Sequence, residues 1–281
     1  MKLRVMSYNI RWGLGTDGRY RLDRIAAVIR EAGADLVGLQ EIERGSPRSR
    51  FLDQPARLAR MLGMEVAFGA NLRLGSWCFG NALLSRWPIR GWRNVSLPVP
   101  PESSPLFAAR SRVETPWHES RPGEKTSRYH RPHRLSGTAL LRRWSPRLFD
   151  RRGVLVAEIG FPGGNGAALT TLVTHLPLRR DVRVEQAKTI LSLLPGNGEA
   201  ALLMGDLNEG PNGPAVRRFH DGGLTDLSGD APTFPSPEPV GKIDFIMGRG
   251  PVRSVDTARV IRTPASDHLP VVVDVELLAD G

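Results

Sequence analysis

The sequence predicts an α/β protein in which helices pack outside mixed β-sheets. Segments with helical spacing of apolar residues alternate with short apolar segments typical of strands. Several consecutive strand segments have no helix between them, which excludes a purely parallel sheet because parallel neighbours need a long crossover. A chain of 281 residues, with 40% apolar and 24% charged residues, is long enough to bury a large core.

The first elements alternate between strand and helix. Residues 3–10 and 35–42 are predicted strands, and residues 21–32 are a predicted helix because their apolar residues keep near-helical spacing and Gly33 follows. Asp53 is the predicted N-cap of a second helix. Further short strands are expected at 65–69, 79–85 and 92–97.

The second half continues this alternation after residue 152. Helices are expected at 181–194 and 214–221. The expected strands are 154–159, 169–175, 200–207, 242–247, 255–261 and 270–277. The sequence contains no internal repeat, and it predicts one domain over residues 1–281.

Positive charge is concentrated in one segment, at about residues 105–152. The net charge is +10, and twelve basic against four acidic residues give this segment a surplus of eight, which leaves two elsewhere. The segment is rich in Pro, Ser and Arg and lacks sustained periodicity. We therefore expect a basic insertion within the domain, mobile or folded only on binding.

Three interpretations of this basic insertion are open. Its arginines, interleaved with Trp117, Tyr129 and Trp144, could bind phosphate backbones and stack on bases. They could equally lie on an anionic membrane surface, with tryptophan at headgroup level. The third interpretation is a solvated segment without a partner. Only four of the 39 basic residues are lysines, a bias that GC-rich codon usage alone would produce.

No segment predicts secretion or a membrane span. The N-terminus lacks an apolar stretch before a cleavage site, and nothing approaches the roughly 20 apolar residues that cross a bilayer. Cys78 is the single cysteine, which excludes an internal disulfide framework and fits a reducing compartment. We expect a cytoplasmic protein, and no pattern predicts its oligomeric state.

Asp206 and Asn208 lie at the C-terminal end of an apolar run that begins at Leu202. Residues two apart on a strand share a face, so these two side chains are expected to emerge together at the sheet edge. Open α/β sheets tend to bind ligands at this edge. The alternative interpretation is an ordinary turn, since Asp and Asn favour turns and glycines follow.

Asp267 and His268 precede a valine-rich strand. An adjacent carboxylate and imidazole could place one group on a metal ion and the other on a substrate or a water molecule. Histidine suits acid–base work because its pKa lies near neutrality. The alternative is a polar loop ahead of a core strand.

Further polar residues interrupt or end apolar strands. Glu41 ends one of them, and a buried lone carboxylate is costly unless it is paired or coordinated. Such oxygen ligands suit Mg²⁺, with Mn²⁺ or Ca²⁺ as alternatives. His175 and Asp244 could instead be hydrogen-bonded core residues. Asn9 ends the first strand with an amide oxygen that could bind a metal ion.

Together these motifs resemble the endonuclease/exonuclease/phosphatase superfamily. This superfamily includes pancreatic-type deoxyribonucleases, abasic-site endonucleases, neutral sphingomyelinases and inositol polyphosphate phosphatases. The resemblance covers nearly the whole chain apart from the basic insertion. Its motifs are Ser-Tyr-Asn-Ile at 7–10, Leu-Gln-Glu at 39–41, Gly-Asn-Ala-Leu-Leu-Ser-Arg at 80–86, Thr-His-Leu at 174–176, Gly-Asp-Leu-Asn at 205–208, Ile-Asp-Phe-Ile at 243–246 and Ser-Asp-His-Leu-Pro at 266–270.

The resemblance implies a four-layer αββα sandwich with two packed mixed β-sheets. It also implies a phosphoester hydrolase in which a divalent metal ion assists the attack of water on phosphorus. Glu41 would hold this metal ion, assisted by Asn9 and Asp267.

The same resemblance implies roles for five catalytic residues. Asp206 and His268 would activate or orient the attacking water, and Asn208 would hold the phosphate. His175 would stabilise or protonate the phosphate. In the deoxyribonuclease-like branch an aspartate orients this histidine, and here that residue would be Asp244.

Two more residues are assigned to the substrate phosphate. Asn81 is expected to contact it. Arg11 occupies a position where the abasic-site endonuclease branch has an aspartate, and a cation there weakens the case for a second metal ion. We therefore expect one principal metal site, with Arg11 either on a substrate phosphate or solvated.

The resemblance indicates the reaction class but not the substrate, because one scaffold hosts many specificities. The first hypothesis is a phosphodiesterase or nuclease acting on nucleic acid through the basic insertion. The second is a phospholipid phosphodiesterase of sphingomyelinase type, or a small-molecule phosphatase. The third is a binding protein without turnover, against which the complete set of motif residues argues.

Overall fold

The structure, a computed structural model, describes residues 1–99, 118–119, 151–161, 168–196 and 198–278. Most of the basic insertion predicted at 105–152 therefore lies outside the described residues. The expectations about that segment stay predictions.

Fourteen strands are present in the described ranges. In chain order they are β1 (Lys2–Asn9), β2 (Leu36–Arg44), β3 (Glu65–Leu74), β4 (Trp77–Ser85), β5 (Ile89–Ser96), β6 (His118–Glu119), β7 (Gly153–Gly160), β8 (Ala168–His175), β9 (Ala201–Asp206), β10 (Thr225–Asp226), β11 (Asp244–Arg249), β12 (Val252–Ser254), β13 (Arg259–Val260) and β14 (Val271–Leu277).

The strands form two seven-stranded mixed sheets. The first has the order β12-β14-β1-β2-β4-β3, with β13 also paired to β14, and only β1 and β2 are parallel neighbours. The second has the order β10-β11-β9-β8-β7-β5-β6, with β8 and β9 as its parallel pair.

Local sequence signals explain where the helices begin and end. The α-helices in the described ranges are α1 (Leu22–Ala32), α2 (Gln54–Leu62), α3 (Arg180–Leu191) and α4 (Pro214–Asp221), and short 3₁₀ turns lie at Arg11–Gly13 and Pro47–Ser49. Gly33 ends α1 in the left-handed conformation, at φ 66°. The predicted cap of α2 is confirmed, because the Asp53 side chain accepts a hydrogen bond of 3.0 Å from the amide of Ala56.

Three apolar cores separate four layers. Successive strand residues face opposite cores, as the period of two requires. Leu36 and Leu202 lie in the core between the two sheets. Their neighbours Val37 and Leu203 face outward, toward α1 with α2 and toward α3 with α4 respectively. This arrangement confirms the predicted αββα sandwich.

One strand prediction is wrong. Residues 255–261 were expected to form a continuous strand, but the chain pairs with β14 twice, through β12 and then β13. Between these edge strands lie Val255, which is exposed, and the polar residues Asp256 and Thr257. Their side chains have no core to enter, so the pairing is interrupted.

Helices long and apolar enough to cross a membrane do not occur within the described ranges.

A close approach of the two sheets at Gly38 gives a first prediction. A Cβ atom at Gly38 would lie 2.8 Å from the Cβ of Met204 and 3.3 Å from Cγ2 of Val173, across the core between the sheets. We expect Gly38→Ala to lower the free energy of unfolding by about 1–3 kcal/mol, because the packed sheets must separate to admit the methyl group. Urea unfolding measures the effect. Gly210→Ala is the control, since its added methyl group would meet only the Lys242 carbonyl oxygen, at 4.0 Å. Equal stability of the two variants would contradict the prediction.

Candidate active site

Strand register places three predicted site residues side by side on the second sheet. His175, at the end of β8, lies opposite Asp206 at the end of β9 in the parallel pair. Asp244, at the start of β11, lies opposite Asp206 in the antiparallel pair. Directly opposed residues share a sheet face with their Cβ atoms close together. An imidazole and two carboxylates therefore meet at one edge of the sheet.

The first sheet contributes Asn9 and Glu41 to the same place. Asn9 ends β1, and its Nδ2 donates a hydrogen bond of 3.0 Å to Oδ2 of Asp206, which joins the two sheets. Glu41 lies where the pairing of β2 with β4 shifts register, and its φ of 55° is left-handed. Such an irregularity redirects a side chain that regular alternation would send elsewhere. Glu41 is thereby brought within 4.0 Å of His175, measured from Oε1 to Nδ1.

The loop before β14 supplies Asp267 and His268. Ser266 fixes this loop to the end of β1, since its Oγ donates a hydrogen bond of 2.7 Å to the Asn9 carbonyl oxygen. Asp267 forms an ion pair with Arg11, with Oδ2 3.3 Å from Nε, and both side chains are partly exposed. Arg11 therefore has Asp267 as an ion-pair partner and is not simply solvated.

His268 is held by Asp244. Nδ1 of His268 donates to Oδ2 of Asp244 at 3.0 Å, and Thr233 donates to the same oxygen at 2.6 Å. The ring of Phe234 lies 4.7 Å from the imidazole, centroid to centroid. Burial lowers the pKa of His268, but the charge and hydrogen bond of Asp244 outweigh it, with Asp206 adding to the effect, and raise it to about 10.

The predicted pairing of Asp244 with His175 is wrong. Asp206 lies between them in the sheet, so Asp244 contacts His268 instead. His175 accepts a hydrogen bond of 3.2 Å at Nδ1 from Arg152, which has to donate because a guanidinium is always protonated. Burial first, then the cations Arg152 and His268, hold the pKa of His175 well below its usual range.

Asp206 is the buried centre of the cluster. Its Oδ2 lies 3.4 Å from Nε2 of His175 and 3.6 Å from Nε2 of His268. Burial and the charge of Asp244 raise the pKa of Asp206 to about 7, against the opposing effects of His268 and Asn9. A carboxylate with this pKa can accept a proton near neutrality, as a general base requires.

Asn208 lies beside these groups on a tightly held turn. Its backbone is left-handed, at φ 50°, and its amide N–H donates to Oδ1 of Asp206 at 2.9 Å. Its Nδ2 donates to the Leu176 carbonyl oxygen at 2.9 Å and lies 3.0 Å from Nε2 of His175. A buried ion pair of 2.7 Å between Arg183 and Glu209 holds the turn behind it. The predicted neighbourhood of Asp206 and Asn208 is thus present.

Among the residues that the structure describes, two groups at this site could hold a metal ion. Ligand atoms of Asp206, Asp244 and His268 lie within 4.8 Å of one another. His268 is bonded to Asp244 through Nδ1, however, and a protonated imidazole does not bind metals. The other group, Glu41 with Asn9 and Asp267, is the one predicted from sequence.

The predicted group has the oxygen donors that a hard divalent cation prefers. Burial raises the pKa of Glu41 above its usual range, Arg152 opposes this effect, and the charge of Asp267 adds to it. A carboxylate that is costly to ionise beside a second carboxylate fits a bound cation. Oδ1 of Asn9 accepts the Arg11 amide at 3.1 Å, and its second lone pair is available to a metal ion.

Asn81 lies deeper than the other predicted residues. It is buried, and its Nδ2 donates to the carbonyl oxygens of Gly153 and Val173 at 3.0 and 3.3 Å. These bonds engage both amide hydrogens in joining the two sheets. Contact of Asn81 with a substrate phosphate stays a prediction, and the geometry gives the residue a structural role.

Three residues of the site were not predicted from sequence. Arg152 contacts His175, Thr233 contacts Asp244, and the Phe234 ring packs at a tilt against His268. Arg152 is one arginine among many at the end of the basic insertion, so no local pattern distinguishes it. Thr233 and Phe234 lie in a loop without strand or helix periodicity, and only the fold brings them to the site.

Known proteins share the sequence pattern and the fold of this chain. The sequence profile described as Endonuclease/Exonuclease/phosphatase family matches residues 6–268. The chain belongs to this family. It is 26% identical over 296 residues to the uncharacterized protein YbhP of Escherichia coli (strain K12), covering 98% of this chain and 96% of that protein.

Solved structures share the fold. An endonuclease/exonuclease/phosphatase from Beutenbergia cavernae DSM 12333 has a TM-score of 0.69 and 24% identity, covering 98% of this chain and 72% of that one. A mannosyl-6-phosphatase of Bacteroides thetaiotaomicron VPI-5482 has a TM-score of 0.67 and 18% identity, covering 98% and 99% respectively. At these identities the likeness is one of fold. Membership of the family makes the chain a metal-dependent phosphoester hydrolase, as the sequence predicted.

The pairing of His268 with Asp244 gives a second prediction. In metal-free protein we expect the His268 imidazolium to lose its proton only near pH 10, and in Asp244→Asn well below that, because the variant removes the charge that opposes burial. Titration of the ring resonances by NMR measures both values. The ring resonances of His220, an exposed histidine on α4, should be the same in both proteins and serve as the internal reference. An unchanged His268 titration in the variant would contradict the pairing.

Proposed function

We propose that the protein hydrolyses phosphodiester bonds of nucleic acid with the help of a divalent cation, Mg²⁺ in the first instance. The observation that carries this proposal is the contact of Asp206 with two histidines whose pKa values are shifted in opposite directions. Groups shifted apart in this way are typical of acid–base catalysis.

Glu41, Asn9 and Asp267 are the residues that would hold the cation. The bound cation would neutralise charge on a non-bridging phosphate oxygen. Asn9 also hydrogen-bonds Asp206, so the metal site and the catalytic carboxylate are linked directly. This link would keep the attacking water and the phosphate in a fixed relation.

Asp206 would take the proton of the attacking water. Its raised pKa, about 7, suits a base that works near neutrality. His268, positively charged and oriented by Asp244, would stabilise the charge that develops on the phosphate. His175 remains neutral and would donate a hydrogen bond through Nε2, since Nδ1 accepts from Arg152. Asn208 would hold the phosphate beside them.

Positive charge around the site supports a nucleic acid as substrate. Arg11 and Arg152 both lie at the cluster, and the basic insertion ends at Arg152. The segment with the surplus of eight positive charges precedes Arg152 directly in the sequence, and such a surplus favours a polyanionic substrate. The aromatic residues of that segment would stack on bases.

A phosphate monoester is the second candidate substrate. It is favoured by one comparison, since a structural neighbour is a mannosyl-6-phosphatase. The same residues would serve both reactions, because in each of them water attacks phosphorus and an alcohol leaves; the monoester carries one more negative charge. A substrate panel separates the two.

A third prediction concerns activity. With Mg²⁺ or Mn²⁺ the protein should hydrolyse bis-(p-nitrophenyl) phosphate and nick plasmid DNA, and EDTA should abolish both activities. Asp206→Asn and His268→Ala should each lower kcat by about a hundredfold or more, because they remove the base and the charged donor. His220→Ala, on the outer face of α4, should leave kcat unchanged.

The panel also includes p-nitrophenyl phosphate, a sugar 6-phosphate and choline-phosphate lipids. Turnover of monoesters or lipids without turnover of DNA would overturn the nuclease proposal and leave the reaction class intact. Absence of turnover on every substrate would overturn the proposed function itself.

A fourth prediction concerns the basic insertion. Deletion of residues 111–147 should weaken DNA binding and flatten its dependence on salt concentration, because each lost phosphate contact removes about one unit from the salt slope. Fluorescence anisotropy with a labelled duplex at several salt concentrations measures both quantities. Turnover of bis-(p-nitrophenyl) phosphate should persist. An unchanged salt slope would leave the insertion without a role in binding.

A further inference from the structure

Beside the active site lies a platform of aromatic and arginine side chains that the catalytic groups do not explain. It consists of Trp12 and Arg48, bordered by Arg11 on the side of the site. The Arg48 guanidinium lies 3.7 Å from the centre of the Trp12 ring, and that of Arg11 lies 5.9 Å from it. Because Arg11 also pairs with Asp267, the platform is continuous with the predicted metal site.

The platform is accessible yet held in place from below. The Arg48 side chain is 33% exposed, and its Nε donates at 2.8 Å to Glu43, whose side chain is fully buried. Gln54 connects the backbone at Trp12 with the backbone at Glu43. Its Nε2 donates to the Trp12 carbonyl oxygen at 2.7 Å, and its Oε1 accepts the Glu43 amide at 2.9 Å. A buried carboxylate and amide thus orient a partly exposed cation over a partly buried indole.

Backbone strain is concentrated in the same two loops. Arg11 and Trp12 have φ values of 42° and 44°, and Arg50 and Phe51 have 54° and 59°. Left-handed backbone is unfavourable for such bulky residues and persists where surrounding structure enforces it, most often at functional sites. The other non-glycine residues with positive φ in the described ranges are Glu41 and Asn208, both in the active site. Phe51 is 67% exposed on the loop that carries Arg48.

We propose that this platform binds the nucleobase next to the phosphate that is hydrolysed. The Arg48 guanidinium lies over the Trp12 indole and is partly exposed, so the pair presents a planar cationic surface on which a base can stack, and the guanidinium offers donors to base oxygens. Arg11 lies between the platform and Asp267, so it would contact the sugar–phosphate link. This inference rests on the proposed function, since it names the group that the phosphate carries.

Binding of nucleoside and sugar monophosphates tests the platform without turnover. Calorimetry in the His268→Ala background, with Mg²⁺ present, compares adenosine 5′-monophosphate with ribose 5-phosphate, which lacks only the base. We expect the nucleotide to bind about tenfold more tightly or more, as base–aromatic stacking predicts. Adding Trp12→Ala should bring the ratio to about one, whereas Trp12→Phe should preserve most of it. Trp87→Ala is the matched control. Trp87 is also half-buried, but it follows the last residue of β4 and packs on Phe161, so it is not part of the platform.

Arg48→Met provides a second test if Trp12→Ala does not fold. It retains an apolar stem over the indole and removes the cation, so the preference for the nucleotide should fall about threefold or more. Equal affinity for the two ligands, or a preference that survives these variants, would overturn the proposal and give the platform a structural role. Tighter, Trp12-dependent binding of mannose 6-phosphate would overturn it in favour of a sugar subsite.

Kinetics on two synthetic diesters separates this inference from the proposed function. Thymidine 5′-(p-nitrophenyl phosphate) and methyl p-nitrophenyl phosphate share a leaving group, and only the first carries a base. In an otherwise wild-type protein Trp12→Ala should raise KM for the thymidine ester about tenfold and leave the methyl ester unchanged. Equal loss on both esters would overturn the platform alone. If neither ester is hydrolysed, the proposed function fails and the calorimetric comparison still decides the platform.

Discussion

The register of β8, β9 and β11 is the constraint on which the site depends. It aligns His175, Asp206 and Asp244 in one row, and a change of one residue in either pairing would move its members to the opposite sheet face. The first sheet then meets this row through the hydrogen bond from Asn9 to Asp206. That bond requires the sheets to pack closely, which a bare glycine at position 38 allows. The geometry of the active-site groups therefore depends on the close packing of the two sheets.

Electrostatic interactions with neighbouring groups determine which members of this buried row are charged. Burial disfavours the charged forms of Asp206, Glu41 and both histidines, and each group responds according to its neighbours. Asp244 overrides burial at His268, whereas Arg152 reinforces it at His175. The result is one cationic and one neutral imidazole on either side of a carboxylate that titrates near neutrality. Asp267 and Glu41 remain as the carboxylates that a divalent cation would stabilise.

Sequence alone was sufficient for most of the fold, and the structure brings most of the residues that it proposed for the site close together. Local signals decided these elements, such as the Asp53 cap and the polar residues that end buried strands. The sequence did not show which residues of the site contact each other. Asp244 was assigned to His175, because motifs give an order along the chain and not the order of strands in a sheet, where Asp206 lies between the two. Arg152, Thr233 and Phe234 were missed for a related reason, since loops without periodicity acquire their positions only from tertiary contacts. The strand expected at 255–261 failed where an edge lacked continuous pairing.

Strand ends and loops contribute different residues to the site. The strand ends carry residues proposed for the reaction, and the loops carry residues proposed to select the substrate. His175, Asp206 and Asp244 lie at strand ends, where the ladder hydrogen bonds hold the backbone. Trp12, Arg48 and Arg11 lie on short loops whose left-handed residues are held in place by Gln54 and Glu43. A loop can change length or side chains without moving the strand ends, so a family with one reaction can acquire many substrates. In this chain the loops next to the carboxylates proposed to bind the metal ion present aromatic and cationic groups together, which is the chemistry that a nucleotide needs from its binding site.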